Sequence, residues 1–116
     1  MLNKIRESYQ STRPSEDPVL EVMNRLSTNI VDGYLQKINL KHAGVLLGLQ
    51  QTESGLNVIF TKRTTKLKNH AGEISFPGGS FDESQDKDII ETTLREANEE
   101  IGLVQTSSEI IGFVPP

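Results

Sequence analysis

The sequence contains no cysteine. This excludes a disulfide framework, a thiol nucleophile and a cysteine-ligated zinc site, and it fits a reducing compartment. Aromatic residues are also few, at 5%, and the hydrophobic fraction of the 116 residues is only 34%. A chain of this length forms one small core, whose stability must come from side-chain packing. We expect exposed or irregular segments near its ends.

The sequence also lacks an excess of positive charge and a long hydrophobic run. Its formal net charge is −4, so the bulk charge does not indicate a nucleic-acid or anionic-membrane partner. The longest apolar stretch lies around residues 43–49, far short of the roughly 20 residues that span a bilayer. Lys4, Arg6 and Glu7 stand where a signal peptide would be apolar. We therefore expect a soluble, cytoplasmic protein that binds neither nucleic acid nor membranes.

Hydrophobic spacing predicts a short helix and several strands. A helix over residues 18–26 is predicted, with Asp17 as its N-cap and proline at its first position. The apolar segments 43–49 and 56–61 flank turn residues and predict a β-hairpin. Residues 110–114 predict a further strand.

A longer helix is predicted over residues 89–101. Asp88 and Glu91 form a capping box at its start, and Gly102 stands where a C-cap glycine belongs. At about 100° per residue, one side of this helix is apolar and the other is charged. The predicted buried stripe consists of Ile90, Leu94, Ala97 and Ile101.

Three carboxylates converge on the charged side of the predicted helix. Glu96, Glu99 and Glu100 are spaced i, i+3 and i+4, so they project from one side and repel one another. A divalent cation would remove this repulsion, and hard oxygen ligands of this kind suit Mg²⁺ or Mn²⁺ shared with substrate phosphates. The alternative is that they form only a solvated helix face, and spacing alone leaves both interpretations open.

A basic segment and a glycine turn precede the helix. The cations of the basic segment are Lys62, Arg63, Lys66 and Lys68, followed by His70. Such a run either binds phosphate groups or is a solvated loop, and His70 either contacts a substrate or makes local hydrogen bonds. In the turn, Pro77 fixes the backbone, whereas Gly78 and Gly79 permit positive φ and close approach to a metal ion or phosphate.

The combination of glycine turn, capped helix and acidic cluster resembles a known family. Residues 95–103 read Arg-Glu-Ala-Asn-Glu-Glu-Ile-Gly-Leu, which matches the end of the Nudix box in order. Residues 59–63, Gly72 and residues 76–79 stand at the spacings of the additional motif of the coenzyme A diphosphatase branch. Over residues 43–103, the chain therefore resembles a Nudix hydrolase of the coenzyme A diphosphatase-like branch.

The resemblance implies an α+β fold, a Nudix-like α/β/α sandwich with a mixed sheet. It places the Nudix domain at residues 37–116, with the box at about 79–103, after an N-terminal helical or linker segment at residues 1–36. Because one predicted strand follows the box, we expect the domain to be incomplete at its C-terminus. The chain would then be a fragment or a shortened homologue, with completion by another chain and a homodimer as open alternatives.

The resemblance also implies a function and a site. Glu96, Glu99 and Glu100 would be the catalytic residues and, with the backbone carbonyl of Gly79, the ligands of Mg²⁺ or Mn²⁺. The implied substrate is a small-molecule nucleoside diphosphate linked to another moiety, with coenzyme A or acyl-coenzyme A cleaved to 3′,5′-ADP and (acyl-)phosphopantetheine as the best guess. The implied substrate-binding residues are Lys62, Arg63, Lys68, His70 and Gly78. A non-catalytic nucleotide-binding or interaction module stays open as the alternative.

Two departures from the family pattern affect these expectations. The interval from Gly79 to Arg95 is two residues longer than usual, so the first glutamate of the box has no counterpart by count. We expect Arg95 to be a structural clamp, paired with Glu91 four residues before it or with Asp82. In the branch motif, Lys68 stands where arginine is usual, which replaces a bidentate phosphate fork by a point charge.

Overall fold

The computed structural model describes residues 1–26, 41–64 and 71–116. These residues belong to two units: residues 1–26 with residues 110–116, and the described residues between Lys41 and Glu109. The predictions for Lys66, Lys68 and His70 fall outside the described residues. None of the helices in the described ranges is long and apolar enough to cross a membrane.

The first unit contains two short helices, α1 (Leu2–Tyr9) and α2 (Pro18–Arg25). Helix α2 is the one that its sequence signals predict. The side chain of Asp17 accepts a hydrogen bond of 3.0 Å from the backbone N–H of Leu20, and proline occupies the first turn, where its missing N–H costs nothing. Helix α1 was not predicted, and it has no side-chain cap.

The predicted strand over residues 110–114 is wrong, because these residues have no strand pairing in the structure. The backbone N–H of Phe113 donates to the hydroxyl of Thr12 at 2.7 Å. A side chain thus takes the hydrogen bond that a neighbouring strand would otherwise receive. Gly112 has a φ of 156° and lies against Tyr9, so the backbone here also bends out of regular extended geometry.

The second unit is α+β, as predicted, with three antiparallel strand pairs among its described residues. The pairs are β1 with β6, β2 with β3, and β4 with β5. The strands are β1 Ala43–Val45, β2 Gly48–Thr52, β3 Gly55–Ile59, β4 Thr61–Lys62, β5 Ile74–Ser75 and β6 Gly78–Ser80.

The predicted hairpin is present as β2–β3, but both of its strands are shorter than predicted: the second ends at Ile59, and Thr61 belongs to β4. The apolar segment 43–49 is divided between two ladders. Residues 43–45 pair with the glycine turn at residues 78–80, and only from Gly48 does the chain enter the hairpin. Apolar composition alone therefore located the β structure, whereas its partners depend on contacts distant in sequence.

Helix α3 (Ile89–Ile101) has the predicted bounds and both predicted caps. Asp88 accepts a hydrogen bond of 2.9 Å from the N–H of Glu91. Gly102 adopts a left-handed φ of 69°, and the N–H of Leu103 returns to the carbonyl of Ala97 at 3.3 Å. The N–H of Gly102 donates to the carbonyl of Asn98 at 2.9 Å. This is the hydrogen bond of the αL cap, which only a residue tolerant of positive φ permits at low cost.

Helix α3 packs on β1 and β6 through small residues. A Cβ at Gly44 would collide with the hydroxyl of Thr93 and would lie 2.9 Å from the carbonyl oxygen of Ile89. Of the predicted buried stripe, Ala97 is fully buried and the other three residues are half-buried. Thr92, which is outside the predicted stripe, is also fully buried. The close approach of helix and ladder brings the acidic end of α3 to the glycine turn.

Candidate active site

Glu96 lies directly over Gly79. A Cβ at position 79 would stand only 2.6 and 2.7 Å from the two carboxylate oxygens of Glu96. Since real Cβ atoms do not approach oxygens so closely, glycine is required at 79 for this arrangement. The structure thus places a carboxylate of α3 against the backbone of β6, the two elements that the sequence predicts to share a site.

Arg95 is a clamp, but its partner is Asp86 and not Glu91 or Asp82 as predicted. Its Nε and Nη2 donate to Oδ1 and Oδ2 of Asp86, both at 2.8 Å. Glu91 instead accepts the backbone N–H of Lys87 at 3.3 Å. The glutamate of the predicted capping box thus bonds the residue before the N-cap, and no hydrogen bond joins it to Arg95 among the contacts that the structure gives for the guanidinium.

Asp86 is buried, with only 6% of its surface exposed. Besides the arginine, it receives hydrogen bonds of 2.9 Å from the hydroxyl of Thr92 and from the backbone N–H of Asp82. Arg95, through its hydrogen bonds, is the main cause of a pKa of Asp86 far below its usual value. The same contact raises the pKa of Arg95, so this ion pair stays charged across the physiological range.

The carboxylate of Asp82 is occupied by its own loop. Ser84 and Gln85 both donate to it at 2.6 Å. The hydrogen bond from Ser84 contributes most to a lowered pKa of Asp82. This local turn explains why Asp82 does not reach Arg95, and it folds the loop so that Asp86 does.

Arg95 also holds the acidic end of the helix. Its Nη1 donates to Glu96 Oε1 at 2.9 Å and to Glu99 Oε1 at 3.5 Å. Its Nη2 donates to the carbonyl of Ser80 at 3.2 Å. One guanidinium thus links the expanded loop, the glycine turn and two of the predicted metal ligands, an arrangement suited to its fixed fork of donors.

The predicted oxygen donors have the chemistry that a hard divalent cation requires, and two of them already lie side by side. Gly79 and Glu96 are adjacent, and carboxylate and carbonyl oxygens are the ligands that Mg²⁺ and Mn²⁺ prefer. Glu99 and Glu100 are exposed and have room to change rotamer. In this structure, no three acidic or histidine side chains of the described residues are gathered closely enough to hold an ion. The ligand set Gly79, Glu96, Glu99 and Glu100 therefore stays a prediction.

A cleft of about 330 Å³ lies beside this acidic end. It brings together four of the predicted site residues, Lys62, Arg63, Gly78 and Glu100. Cations and a carboxylate therefore share one concave surface, which is the arrangement expected where phosphates meet a metal-binding group. The other lining residues are Thr61, Ser75 and Phe76.

The sequence reasoning missed Asp86 and Phe60. Asp86 lies nine residues before Arg95, beyond helical i, i+4 spacing, and its only signal was its position in the expanded loop. Phe60 stacks on Phe76, with ring centroids 4.8 Å apart and an angle of 23° between the rings. That contact depends on the pairing of β4 with β5, which no local pattern indicates.

Comparison with known proteins agrees with this geometry. The family model for the NUDIX domain matches residues 40–116, so the chain belongs to the Nudix family. A protein named "Uncharacterized Nudix hydrolase NudL" from Citrobacter koseri is 39% identical over 82 residues, covering 70% of this chain and 41% of the relative.

Two further relatives carry the same name. That from Escherichia fergusonii is 38% identical over 82 residues, covering 70% of this chain and 41% of the relative. That from Enterobacter sp. is 39% identical over 79 residues, covering 68% of this chain and 40% of the relative. The chain thus spans about two fifths of the length of these curated relatives.

Proposed function

We propose that the protein is a metal-dependent diphosphatase that hydrolyses a nucleoside diphosphate linked to another moiety. The observation that carries this proposal is the cleft shared by Lys62, Arg63, Gly78 and Glu100. Family membership supports it, since Nudix hydrolases generally use divalent metal ions. The ion proposed here is Mg²⁺ or Mn²⁺.

The residues of the site have separable tasks in this proposal. Lys62 and Arg63 bind the phosphate oxygens, Lys62 as a point charge and Arg63 as a fork of donors. Glu96, Glu99, Glu100 and the Gly79 carbonyl would hold the cation. When bound, the cation supplies charge stabilisation at the diphosphate oxygens.

Proton transfer is assigned to Glu96. This carboxylate is held by Arg95 on one side and lies against Gly79 on the other. It accepts a proton from the attacking water, whose oxygen forms a new bond to phosphorus while the bridging P–O bond breaks. Two phosphate monoesters result. Glu96 is thus both a ligand and the general base of the proposal.

Coenzyme A or an acyl-coenzyme A is the proposed substrate. The products would be 3′,5′-ADP and phosphopantetheine or its acyl derivative. The support is the branch motif in residues 59–63, Gly72 and residues 76–79, of which Lys62, Arg63, Phe76 and Gly78 line the cleft.

The test is a substrate screen with the protein purified at its natural length. We expect Mn²⁺-dependent release of nucleotide from coenzyme A, and less from ADP-ribose and dinucleoside polyphosphates. Equal turnover of all three would contradict only the coenzyme A assignment. No release from any of them would contradict the enzyme.

Two glutamine variants give the matched comparison. Glu100→Gln removes a carboxylate from the cleft and is expected to lower kcat by about 100-fold or more, in line with the loss of one group that acts on the transition state. Glu53→Gln makes the same chemical change on the exposed turn of the β2–β3 hairpin, and is expected to leave turnover unchanged.

A non-catalytic nucleotide-binding module is the second candidate. The observation that favours it is that Arg95 donates hydrogen bonds to both Glu96 and Glu99, so these two carboxylates already have a counter-charge on the same helix. Calorimetry separates the two candidates. Tight nucleotide binding without metal dependence or hydrolysis supports the module, whereas loss of metal binding together with turnover in Glu100→Gln supports the enzyme.

A further inference from the structure

An aromatic pair stands at the edge of the cleft. In the β4–β5 ladder, Thr61 pairs with Ser75 and Lys62 pairs with Ile74. The next position along this register sets Phe60 opposite Phe76, and their rings stack at 4.8 Å. Even so, 54% of Phe60 and 37% of Phe76 stays exposed to solvent.

This aromatic surface is flanked by a cation. Alternate residues of a strand point to the same face, so Phe60 and Lys62 share a face of the ladder. Their cross-strand partners, Phe76 and Ile74, lie on that same face. Phe76 and Lys62 both line the cleft. An exposed aromatic pair beside a cationic group and a cleft is the kind of patch that binds a planar ligand.

We infer that Phe60 and Phe76 form the stacking surface for the purine base of a nucleotide whose phosphate is held by Lys62. The inference rests on the proposed function, because it takes a nucleotide as the ligand of this cleft. A base with its phosphate joins a planar π-face to an anion, and it therefore matches a ring pair beside an ammonium group. An acyl chain would contact the rings but would make no favourable interaction with the ammonium group of Lys62.

Binding of two monophosphates tests this inference. AMP and ribose 5-phosphate differ only in the base, and neither contains a diphosphate bond, so the result does not depend on turnover. We expect AMP to bind about 10-fold or more tightly than ribose 5-phosphate, since stacking of one base on aromatic side chains has about that effect. In the double variant Phe60→Leu, Phe76→Leu, this ratio should fall to about 1, measured by calorimetry.

A matched control removes a ring elsewhere. Phe81 lines a separate cavity of about 230 Å³ with His42 and Asp88, and Phe81→Leu should preserve the ratio. In the unsubstituted protein, nuclear Overhauser effects between the adenine protons and phenylalanine ring protons are expected, and their disappearance in the double variant assigns them to the pair.

Three outcomes overturn the inference. The first is equal affinity of the unsubstituted protein for AMP and ribose 5-phosphate, and the second is an unchanged affinity ratio in the double variant. The third is a double variant that binds acyl-coenzyme A more weakly but binds AMP as tightly as the unsubstituted protein does. Any of these leaves the hydrolase proposal standing if coenzyme A is still cleaved. Conversely, base-dependent AMP binding without hydrolysis of any diphosphate retains the stacking surface and removes the hydrolase.

Discussion

At the scale of single residues, the site depends on one buried ion pair that spacing rules do not predict. Helical i, i+4 spacing favours Glu91 as the partner of Arg95. The carboxylate of Glu91 instead accepts a hydrogen bond from the backbone N–H of Lys87, just before the helix. Asp86 reaches the arginine because its own N–H bonds to the carbonyl of Asp82 at 2.7 Å and turns the loop back. Such non-local closure is invisible in a sequence pattern.

The pH dependence of stability should report this pair. The pKa of Asp86 is lower in the folded protein than its ordinary value of 3.8, so its contribution to stability is complete above about pH 4 and is lost as pH falls toward the folded pKa. Asp82, with its lowered pKa, acts in the same direction. We expect Tm to decrease on acidification below pH 4, measured by circular dichroism.

The variant Asp86→Asn should lower Tm at pH 7 by roughly 5 °C or more, because it leaves Arg95 without its buried partner. It should also flatten the decline of Tm below pH 4. Glu91→Gln is the matched control, and a smaller loss is expected because its carboxylate is exposed. Equal losses in both variants would show that Asp86 is not the partner that matters.

At the scale of elements, helix α3 was predictable because its signals are local. Asp88, Gly102 and the apolar period lie within or beside the helix and define its start, end and buried side. Among the strands, the local β2–β3 hairpin was predicted, whereas the more distant pairings were not. Residues 43–45 pair with β6, whereas Gly48 and Leu49 pair with β3. Residues 110–114 form no strand. Such partners depend on chain segments that lie far apart in sequence.

The same limit applies to the candidate site. The sequence pattern predicted Glu96, Glu100, Gly79, Lys62 and Arg63, which lie in or beside motifs of contiguous residues. It did not give Phe60 or Asp86, whose roles arise only when a loop or a ladder closes. Contiguous motifs thus suffice to propose which groups carry the chemistry, whereas the contacts that hold those groups in place depend on the closure of the loop and the ladder.

Two glycines at the helix–ladder contact should respond differently to alanine. At Gly44, a Cβ meets the backbone of α3, including the carbonyl of Ile89 at 2.9 Å, so the helix itself must move. We expect Gly44→Ala to cost roughly 1–3 kcal/mol and to lower Tm by about 5–15 °C. At Gly79, the Cβ meets only the end of the Glu96 side chain, which can rotate away.

Gly79→Ala should therefore keep Tm within about 3 °C of the original while lowering diphosphatase turnover by about 10-fold or more, because it displaces a proposed ligand and base. Thermal melts and a coenzyme A assay measure the two effects. A Gly79→Ala protein with both normal stability and normal turnover would contradict the placement of Glu96 in the mechanism.

At the scale of the whole molecule, the charge distribution opposes the ligand that the cleft is proposed to bind. The chain carries a net charge of −4, and the acidic end of α3 adds negative potential beside the cleft. Lys62 and Arg63 reverse the sign only locally. The proposed diphosphate would therefore need a further positive charge at Glu96, Glu99 and Glu100, and the proposed Mg²⁺ or Mn²⁺ would provide it.

Cation binding should then stabilise the folded state as a whole. A ligand that binds only the folded protein raises its stability by about 2.7 kcal/mol at 100 times its Kd, equivalent to a Tm increase of roughly 10 °C. We expect Mn²⁺ to raise Tm by this amount and EDTA to reverse the rise. The rise should be lost in Glu96→Gln and retained in Glu53→Gln, whose carboxylate lies on the hairpin turn. Because this readout is independent of turnover, an unchanged Tm in millimolar Mn²⁺ would mean that the three carboxylates form a solvated helix face, two of them neutralised by Arg95.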